Sequence, residues 1–183
     1  MKDYRDEILS FWFDETPPAL WFQVNESFDA DLRERFMPAY DFARLGGCDH
    51  WQNDPDGCLA LCVLYDQFPR NMFRGTARAY ESDRQAIVVA KLAISKGFDQ
   101  VMPGAKRRFI YLPFEHSEHL QDQKKSVALF EKMKGDDPLS YDYALKHLRV
   151  IEKFGRFPHR NAVLKRASTP EEIDFLKANP KGY

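Results

Sequence analysis

The chain has 183 residues, enough for one domain that buries roughly 70% of the surface exposed by its unfolded form. Hydrophobic residues make up 44% and charged residues 30%, with an aromatic share of 14%, which excludes a disordered chain. No apolar run approaches the roughly 20 residues of a membrane-spanning helix, and the charged N-terminus does not resemble a secretory signal. We therefore predict one cytoplasmic domain, residues 1–183, with no membrane association.

Charge is unevenly distributed along the chain, although the net charge is only −1. Residues 1–60 carry 13 acidic and 5 basic side chains, whereas basic side chains dominate residues 144–166. Two explanations of this asymmetry are open: electrostatic attraction between the two parts of the chain, or an anionic ligand that binds the basic part. A nucleic-acid-binding protein shows a larger basic excess and a recognisable module, so we predict no nucleic-acid partner.

The first predicted helices lie in the acidic part of the chain. Apolar residues within 3–13 predict a short amphipathic helix that ends before Thr16. Residues 28–43 repeat apolar side chains at steps of three and four, with Asn25 as a plausible N-cap and Gly46 beyond the last turn. Both segments therefore read as helices.

The middle of the chain is predicted to contain its most buried helix. Residues 59–68 are apolar on nearly every side, and Pro69 is expected to end this helix. Thr76 is placed to cap a long following helix that ends at Gly97.

The second half is also predicted to be helical. A short helix over 106–112 is expected to break at Pro113, and a new helix is expected to begin at Phe114. Further helices are predicted to begin near Pro138, Pro158 and Pro170. We find no segment in which apolar and polar residues alternate as they do in a β-strand. We therefore predict an all-α domain of about eight helices, in which antiparallel neighbours are joined by short loops.

The densest polar stretch is FGRFPHRNAVL, residues 154–164. Four hydrogen-bonding side chains lie within the six positions 156–161, and the aromatic residues Phe154 and Phe157 lie beside them. A helix starting at Pro158 would direct its free N–H groups and positive dipole end at these side chains. That arrangement is typical of a site for a small anion such as a carboxylate or a phosphate, held by Arg156 and Arg160.

Two other turns are similarly polar, 66–74 and 115–123, and each lies next to a proline at a predicted helix end. If the three turns meet, they form a polar pocket. The predicted ligand-binding residues are Asp66, Arg70, Asn71, Arg74, Glu115, His116, Glu118, Arg156, His159, Arg160 and Asn161. The alternative is that the same residues form ion pairs that fix the helix ends and bind no ligand.

Two further functions remain open from the sequence. A hydrolase-like enzyme could use His116 or His159 as a base beside Glu115 or Glu118, although nucleophile elbow, P-loop and dinucleotide motifs are missing. A peptide-binding module could use its arginines to clamp a carboxylate of the partner. The sequence does not specify the oligomeric state.

Metals and cofactors are not predicted. Cys48, His50, Cys58 and Cys62 could supply four zinc ligands, but Cys58 and Cys62 lie one helical turn apart in an apolar run and are better explained as core residues. The Glu and His residues of 115–119 do not match the Glu-x-x-His pairs of di-iron helical bundles.

The chain resembles a bacterial family, the domain of unknown function nine-two-four. The matching segments are FWF at Phe11, DQFPRN ending at Asn71, FRGT at Phe73, YLPFEHSE from Tyr111 and FGRFPHRN from Phe154. The resemblance implies an all-α fold similar to tetratricopeptide-like helical domains and implies no activity. Where the family pattern has glycine after Ala-x-Leu, this sequence has Lys165.

Overall fold

The computed structural model describes residues 3–180, which are helical or in turns and contain no strand. The helices are α1 (Arg5–Ser10), α2 (Glu26–Arg44), α3 (Pro55–Cys62), α4 (Phe68–Met72), α5 (Asp83–Ser95), α6 (Gly104–Glu115), α7 (Leu120–Glu131), α8 (Pro138–Phe154) and α9 (Pro170–Ala178). A π-helical turn, Phe11–Glu15, extends α1, and a second one, Val63–Gln67, joins α3 to α4 without a break. The described chain thus holds eight continuous helices, and the all-α prediction is confirmed.

The described chain divides into two compact units. The first holds residues 3–74 and 78–113, and the second holds residues 75–77 and 114–180. The prediction of one domain over residues 1–183 and that of tetratricopeptide-like helix pairing stay predictions. Among the described residues, none of the helices combines the length and the apolar character needed to cross a membrane.

The core of the first unit is built around α3 and its continuation. Every residue from 57 to 69 is buried, as the continuous apolar run predicts. Asp54 starts the helix, because its side chain accepts a hydrogen bond from the Gly57 N–H at 2.9 Å. The predicted buried helix is confirmed.

The predicted stop at Pro69 is wrong, because the helix continues to Met72. A proline has no N–H for the carbonyl four residues earlier, which is that of Tyr65. The Ser82 hydroxyl donates to this carbonyl at 2.6 Å, and the π-helical turn just before Pro69 widens the helix. A side chain from another segment therefore satisfies the oxygen that the proline leaves without a partner.

The predicted break at Pro113 is also wrong, because α6 runs through it to Glu115. Phe109, Tyr111 and Phe114 on this helix are almost fully buried, and their packing offsets the lost hydrogen bond. Glu115 therefore ends a helix, where the sequence had suggested that it begins one.

Two predicted helix starts are displaced. The segment after Thr76 forms a 3-10 turn, Ala77–Tyr80, and α5 starts only at Asp83. The predicted helix at Pro158 is a single 3-10 turn, Pro158–Arg160. The chain reverses soon after this turn, at Lys165, whose φ of 55° is left-handed and ends any helical run.

In the second unit α7 packs along α8. Asp137 caps α8 by accepting from the Ser140 N–H, and Gly155 ends it with a left-handed φ of 67°. The chain then returns Phe157 to the core beside Val150 and Ile151. This return brings the polar stretch after Phe157 against the end of α6.

Candidate functional site

The predicted site residues of the first unit form ion pairs. Arg70 donates through Nη1 to Asp83 Oδ1 and to the Asp66 carbonyl, both at 2.8 Å, and its Nη2 lies 3.4 Å from Asp66 Oδ1. Asp66 is 1% exposed and also accepts from the Gln67 amide. The pairing satisfies a carboxylate that burial would otherwise make costly.

Arg74 and Asn71 complete this network. Arg74 donates to both carboxylate oxygens of Asp29 at 2.8 and 3.0 Å and to Asn71 Oδ1 at 2.8 Å. Asn71 in turn donates to the Gln67 carbonyl. This geometry favours the structural alternative for Asp66, Arg70, Asn71 and Arg74.

In the second unit, Arg156 forms a bidentate ion pair with Glu172. Nε lies 2.6 Å from Oε1 and Nη2 lies 2.8 Å from Oε2. Asn161 and the Thr169 N–H also donate to this carboxylate, which belongs to a capping box at the start of α9. The hydrogen bond from Arg156 lowers the pKa of Glu172 to about 2 despite its burial.

Glu118 is held in a similar way. Arg166 donates to its two oxygens at 2.7 and 3.0 Å, and the Phe157 N–H donates at 2.8 Å. Burial raises the pKa of Glu118, but these hydrogen bonds outweigh it and leave the pKa below its usual range. Glu118 is therefore a structural carboxylate that ties the end of α6 to the polar stretch.

Lys165 places Arg166 for this contact. The Arg166 N–H closes a turn on the Asn161 carbonyl at 2.8 Å, and its Nε reaches Asn161 Oδ1 at 3.0 Å. The left-handed backbone of Lys165 makes this reversal possible. A sequence pattern does not reveal the pair, because Arg166 and Glu118 are 48 residues apart.

The other predicted residues lie around the ring of Phe157. The Arg160 guanidinium lies 4.5 Å from the ring centroid and donates from Nη2 to the His116 carbonyl at 3.0 Å. The His159 ring is 5.7 Å from the Phe157 ring. Because Arg160 is only 6% exposed, its cation is largely withdrawn from solvent.

A histidine that was not predicted completes this group. The His147 ring on α8 lies 5.5 Å from Phe157 and 6.4 Å from His116, and its Nδ1 lies 3.3 Å from Glu115 Oε1. We call Glu115, His116, His147, His159 and Arg160, together with Phe157, the histidine cluster. The sequence signal for His147 is its position on the buried stripe of α8, three residues after Ala144 and four before Ile151.

His147 is kept neutral by its surroundings. Burial is the main cause, and the nearby His116, Arg160 and His159 add to it, so that the pKa of His147 falls to about 3. The Tyr143 carbonyl opposes this shift by accepting a hydrogen bond from Nδ1 at 2.9 Å. At neutral pH the ring therefore carries no charge.

Gln123, another residue that was not predicted, fixes the end of α6. Its fully buried amide donates to the carbonyls of Phe114, Glu115 and Ser117 at 3.3, 2.5 and 2.7 Å. The carbonyls of Phe114 and Glu115 lie in the last turn of α6, where the regular hydrogen bonds of the helix stop, and that of Ser117 lies just beyond it. Gln123 therefore holds the backbone that carries Glu115 and His116.

The cysteines do not form a metal site with neighbouring groups. Cys48, Cys58 and Cys62 are free and buried, and burial raises the pKa of both Cys48 and Cys58 to about 11. Within residues 3–180, no three or more His, Cys, Asp and Glu side chains are grouped so that they could hold a metal ion.

Comparison with known proteins identifies the family. A family model described as "Bacterial protein of unknown function (DUF924)" matches residues 8–180. A solved structure of a protein of unknown function from Agrobacterium tumefaciens is 38% identical, with a TM-score of 0.91 over 96% of this chain and 99% of that one. No curated protein matches the chain. Because the family model spans nearly the whole sequence, the chain belongs to the DUF924 family of bacterial proteins of unknown function.

Proposed function

We propose that the histidine cluster binds a small anionic ligand, a carboxylate or a phosphate. The observation that supports this proposal is that the Arg160 guanidinium and the His159 ring lie against Phe157, while the His116 ring lies 6.4 Å from that of His147. Burial is the main cause of the lowered pKa of His147, and these three groups add to it. Groups that disfavour a positive charge at that point favour a negative one.

Arg160 is the residue that we expect to hold the acid group. The guanidinium groups of Arg156 and Arg166 are paired with the carboxylates of Glu172 and Glu118. The Arg160 guanidinium lies 4.5 Å from the centroid of the Phe157 ring and donates from Nη2 to a backbone carbonyl. A guanidinium binds carboxylates and phosphates through charge-assisted hydrogen bonds, which is the role that we assign to Arg160.

Thermal unfolding in the presence of phosphate, acetate or citrate tests the proposal. A ligand at one hundred times its dissociation constant stabilises by about 2.7 kcal/mol, which raises the midpoint by roughly 5 to 10 °C for a chain of this size. We expect this rise for the unmodified protein. Arg160→Gln should lose it when each variant is compared with its own ligand-free midpoint.

Arg35→Gln is the matched control. Arg35 also forms an ion pair, with Glu15 at 2.8 Å, but it belongs to the first unit. This variant should keep the full rise with anion. An Arg160→Gln protein that is stabilised as much as the unmodified protein contradicts the proposal.

The enzyme alternative has weaker support. The carboxylate of Glu118 is paired with Arg166, and Glu115 Oε1 lies 3.3 Å from Nδ1 of His147, a histidine that the sequence had not singled out. A base with a pKa of about 3 takes up a proton poorly at neutral pH. Binding without chemistry is therefore the function that we propose, and peptide binding, a tetratricopeptide-like arrangement and a cytoplasmic location stay predictions.

A further inference from the structure

We propose that a cavity in the first unit binds an aliphatic α-amino acid, whose carboxylate pairs with Arg84 and whose ammonium group pairs with Asp49. The cavity has a volume of about 370 Å³ and lies where the last turn of α2 meets the first half of α5. This volume is near the lower end of the roughly 300–1,000 Å³ that small-molecule sites occupy. The cavity shares no residue with the histidine cluster, so this inference does not depend on the proposed function.

The buried part of the cavity lining is mostly apolar. Ala43 of α2 and Val89 of α5 are at most 2% exposed, and Tyr65 beside them is 3% exposed. The Tyr65 hydroxyl donates to the Ala43 carbonyl at 2.7 Å, so its hydrogen bond is made within the protein. Val88, which also lines the cavity, is 56% exposed although it is apolar. The aliphatic side chain of a ligand would remove this apolar surface from water, which is favourable.

Arg84 supplies a positive charge to the same cavity. The other arginine of the lining, Arg44, is paired with Glu81 at 3.0 Å. Arg84 is exposed, and no carboxylate within residues 3–180 lies at ion-pair distance from its guanidinium. A guanidinium in this state can form two parallel hydrogen bonds with the carboxylate of a ligand.

Asp49 supplies a negative charge. Its Oδ1 accepts one long hydrogen bond, from Gln52 Nε2 at 3.5 Å, and no cationic side chain in the described part of the chain pairs with it. Burial is the main cause of the raised pKa of Tyr65, and the charge of Asp49 adds to it. The field of the Asp49 carboxylate therefore extends to the buried lining, where a ligand ammonium group would offset it.

These two charges select the class of ligand. An aliphatic acid would be attracted by Arg84 and repelled by Asp49, and an aliphatic amine would be attracted by Asp49 and repelled by Arg84. A zwitterion satisfies both side chains at once. An aliphatic α-amino acid is a small zwitterion whose apolar side chain is left to contact Val88 and Val89.

Three related compounds test the inference. Isovalerate is L-valine without its ammonium group, and isobutylamine is L-valine without its carboxylate. Isothermal titration of the full chain should give L-valine an affinity at least about tenfold above that of either compound, because each lacks one charge-assisted contact. The inference is overturned if L-valine does not bind, or if either compound binds as tightly as L-valine.

Two variants assign the two charges. Both side chains are exposed, so their replacement should leave the fold intact. Arg84→Gln should weaken L-valine and isovalerate at least about tenfold and leave isobutylamine unchanged, whereas Asp49→Asn should weaken L-valine and isobutylamine and leave isovalerate unchanged. An affinity for L-valine that neither variant lowers contradicts the inference.

Two further variants are the controls. Arg35→Gln removes an arginine of the same unit that does not line the cavity, and it should leave the affinity for L-valine unchanged. Arg160→Gln should also leave it unchanged, so a failure of the histidine cluster to bind anions is distinguished from a failure of this cavity to bind L-valine. A loss of L-valine binding in Arg35→Gln equal to that in Arg84→Gln would overturn the assignment of the carboxylate to Arg84.

Discussion

Lys165 is the one non-glycine residue within 3–180 that has a positive φ, 55°. A side chain makes the left-handed conformation unfavourable by roughly 1–2 kcal/mol, and glycine avoids that cost but loses more entropy on folding. A glycine at this position, which the family resemblance led us to expect, would have a physical explanation in the turn that brings Arg166 to Glu118.

We expect Lys165→Gly to raise the free energy of unfolding by about 0.5 to 1 kcal/mol. The side chain is exposed, so its removal costs little. Urea denaturation measures the difference, and Lys165→Ala is the control because alanine keeps the unfavourable Cβ. A gain of equal size for alanine would show that backbone conformation is not the cause.

At the scale of residues, the sequence identified which side chains are unusual but not what they contact. The dense stretch after Phe154 was recognised, yet the partners of Arg156 and Glu118 are 16 and 48 residues away. Spacing along a chain does not carry that information. His147 was passed over because a histidine on an apolar stripe is more often a core residue than a binding residue.

At the scale of elements, the Arg156–Glu172 pair links the exit of α8 to the first turn of α9. Glu172 has a folded pKa of about 2, below the ordinary value of 4.5 for a glutamate side chain. A carboxylate whose pKa falls on folding stabilises the protein above its unfolded pKa, and the effect is lost as pH falls. The loss therefore lies between about pH 4.5 and pH 2.

Glu172→Gln tests this link. We expect a midpoint lower by roughly 2 to 4 °C at pH 7, the shift for a loss of about 1 kcal/mol in a chain of this size. Below the folded pKa the two proteins should converge. Thermal unfolding followed by circular dichroism from pH 7 down to pH 2 gives the comparison, and a difference that does not change with pH argues against the ionic origin.

Helix positions were predictable where periodicity and caps agreed. Asn25, Asp54, Asp137 and Thr169 all cap helices as expected from their types. The helix ends predicted at Pro69 and Pro113 are wrong, because tertiary contacts can compensate for the N–H that a proline lacks. The identity of the compensating group, such as the Ser82 hydroxyl, is a property of the folded state.

At the scale of the whole molecule, the cysteines report on unfolding. All three belong to the first unit and are at most 4% exposed. Because the reactive form of a thiol is the thiolate, burial and a raised pKa both protect them. Their reactivity therefore depends on the integrity of the helices around α3.

We expect an aromatic disulfide reagent to modify none of the 3 cysteines in the native protein and all of them in guanidinium chloride. Between these limits, the modified fraction should follow the loss of helical circular dichroism. Rapid modification of any cysteine under native conditions would contradict the burial seen here. Cys58→Ser and Cys62→Ser assign the signal to α3.

The all-α class was evident from the sequence, because helical spacing recurs along most of the chain. The division into two compact units was not. Residues 75–77 belong with the second unit although both neighbouring segments belong to the first, and no change of composition marks these boundaries. Sequence patterns are local, whereas compactness depends on contacts across the chain.

The π-helical turn Val63–Gln67 has a consequence for how this sequence tolerates change. A π-helical turn holds one residue more than the α-helical turn it replaces. Each residue of an α-helix turns the following side chains by about 100°, but the wider turn absorbs the extra residue, so Phe68 and Asn71 keep the faces that an α-helix one residue shorter would give them. Comparison with a helix that lacks this turn therefore requires a one-residue gap within 63–67, and an ungapped alignment would match every later position of the helix to the wrong face.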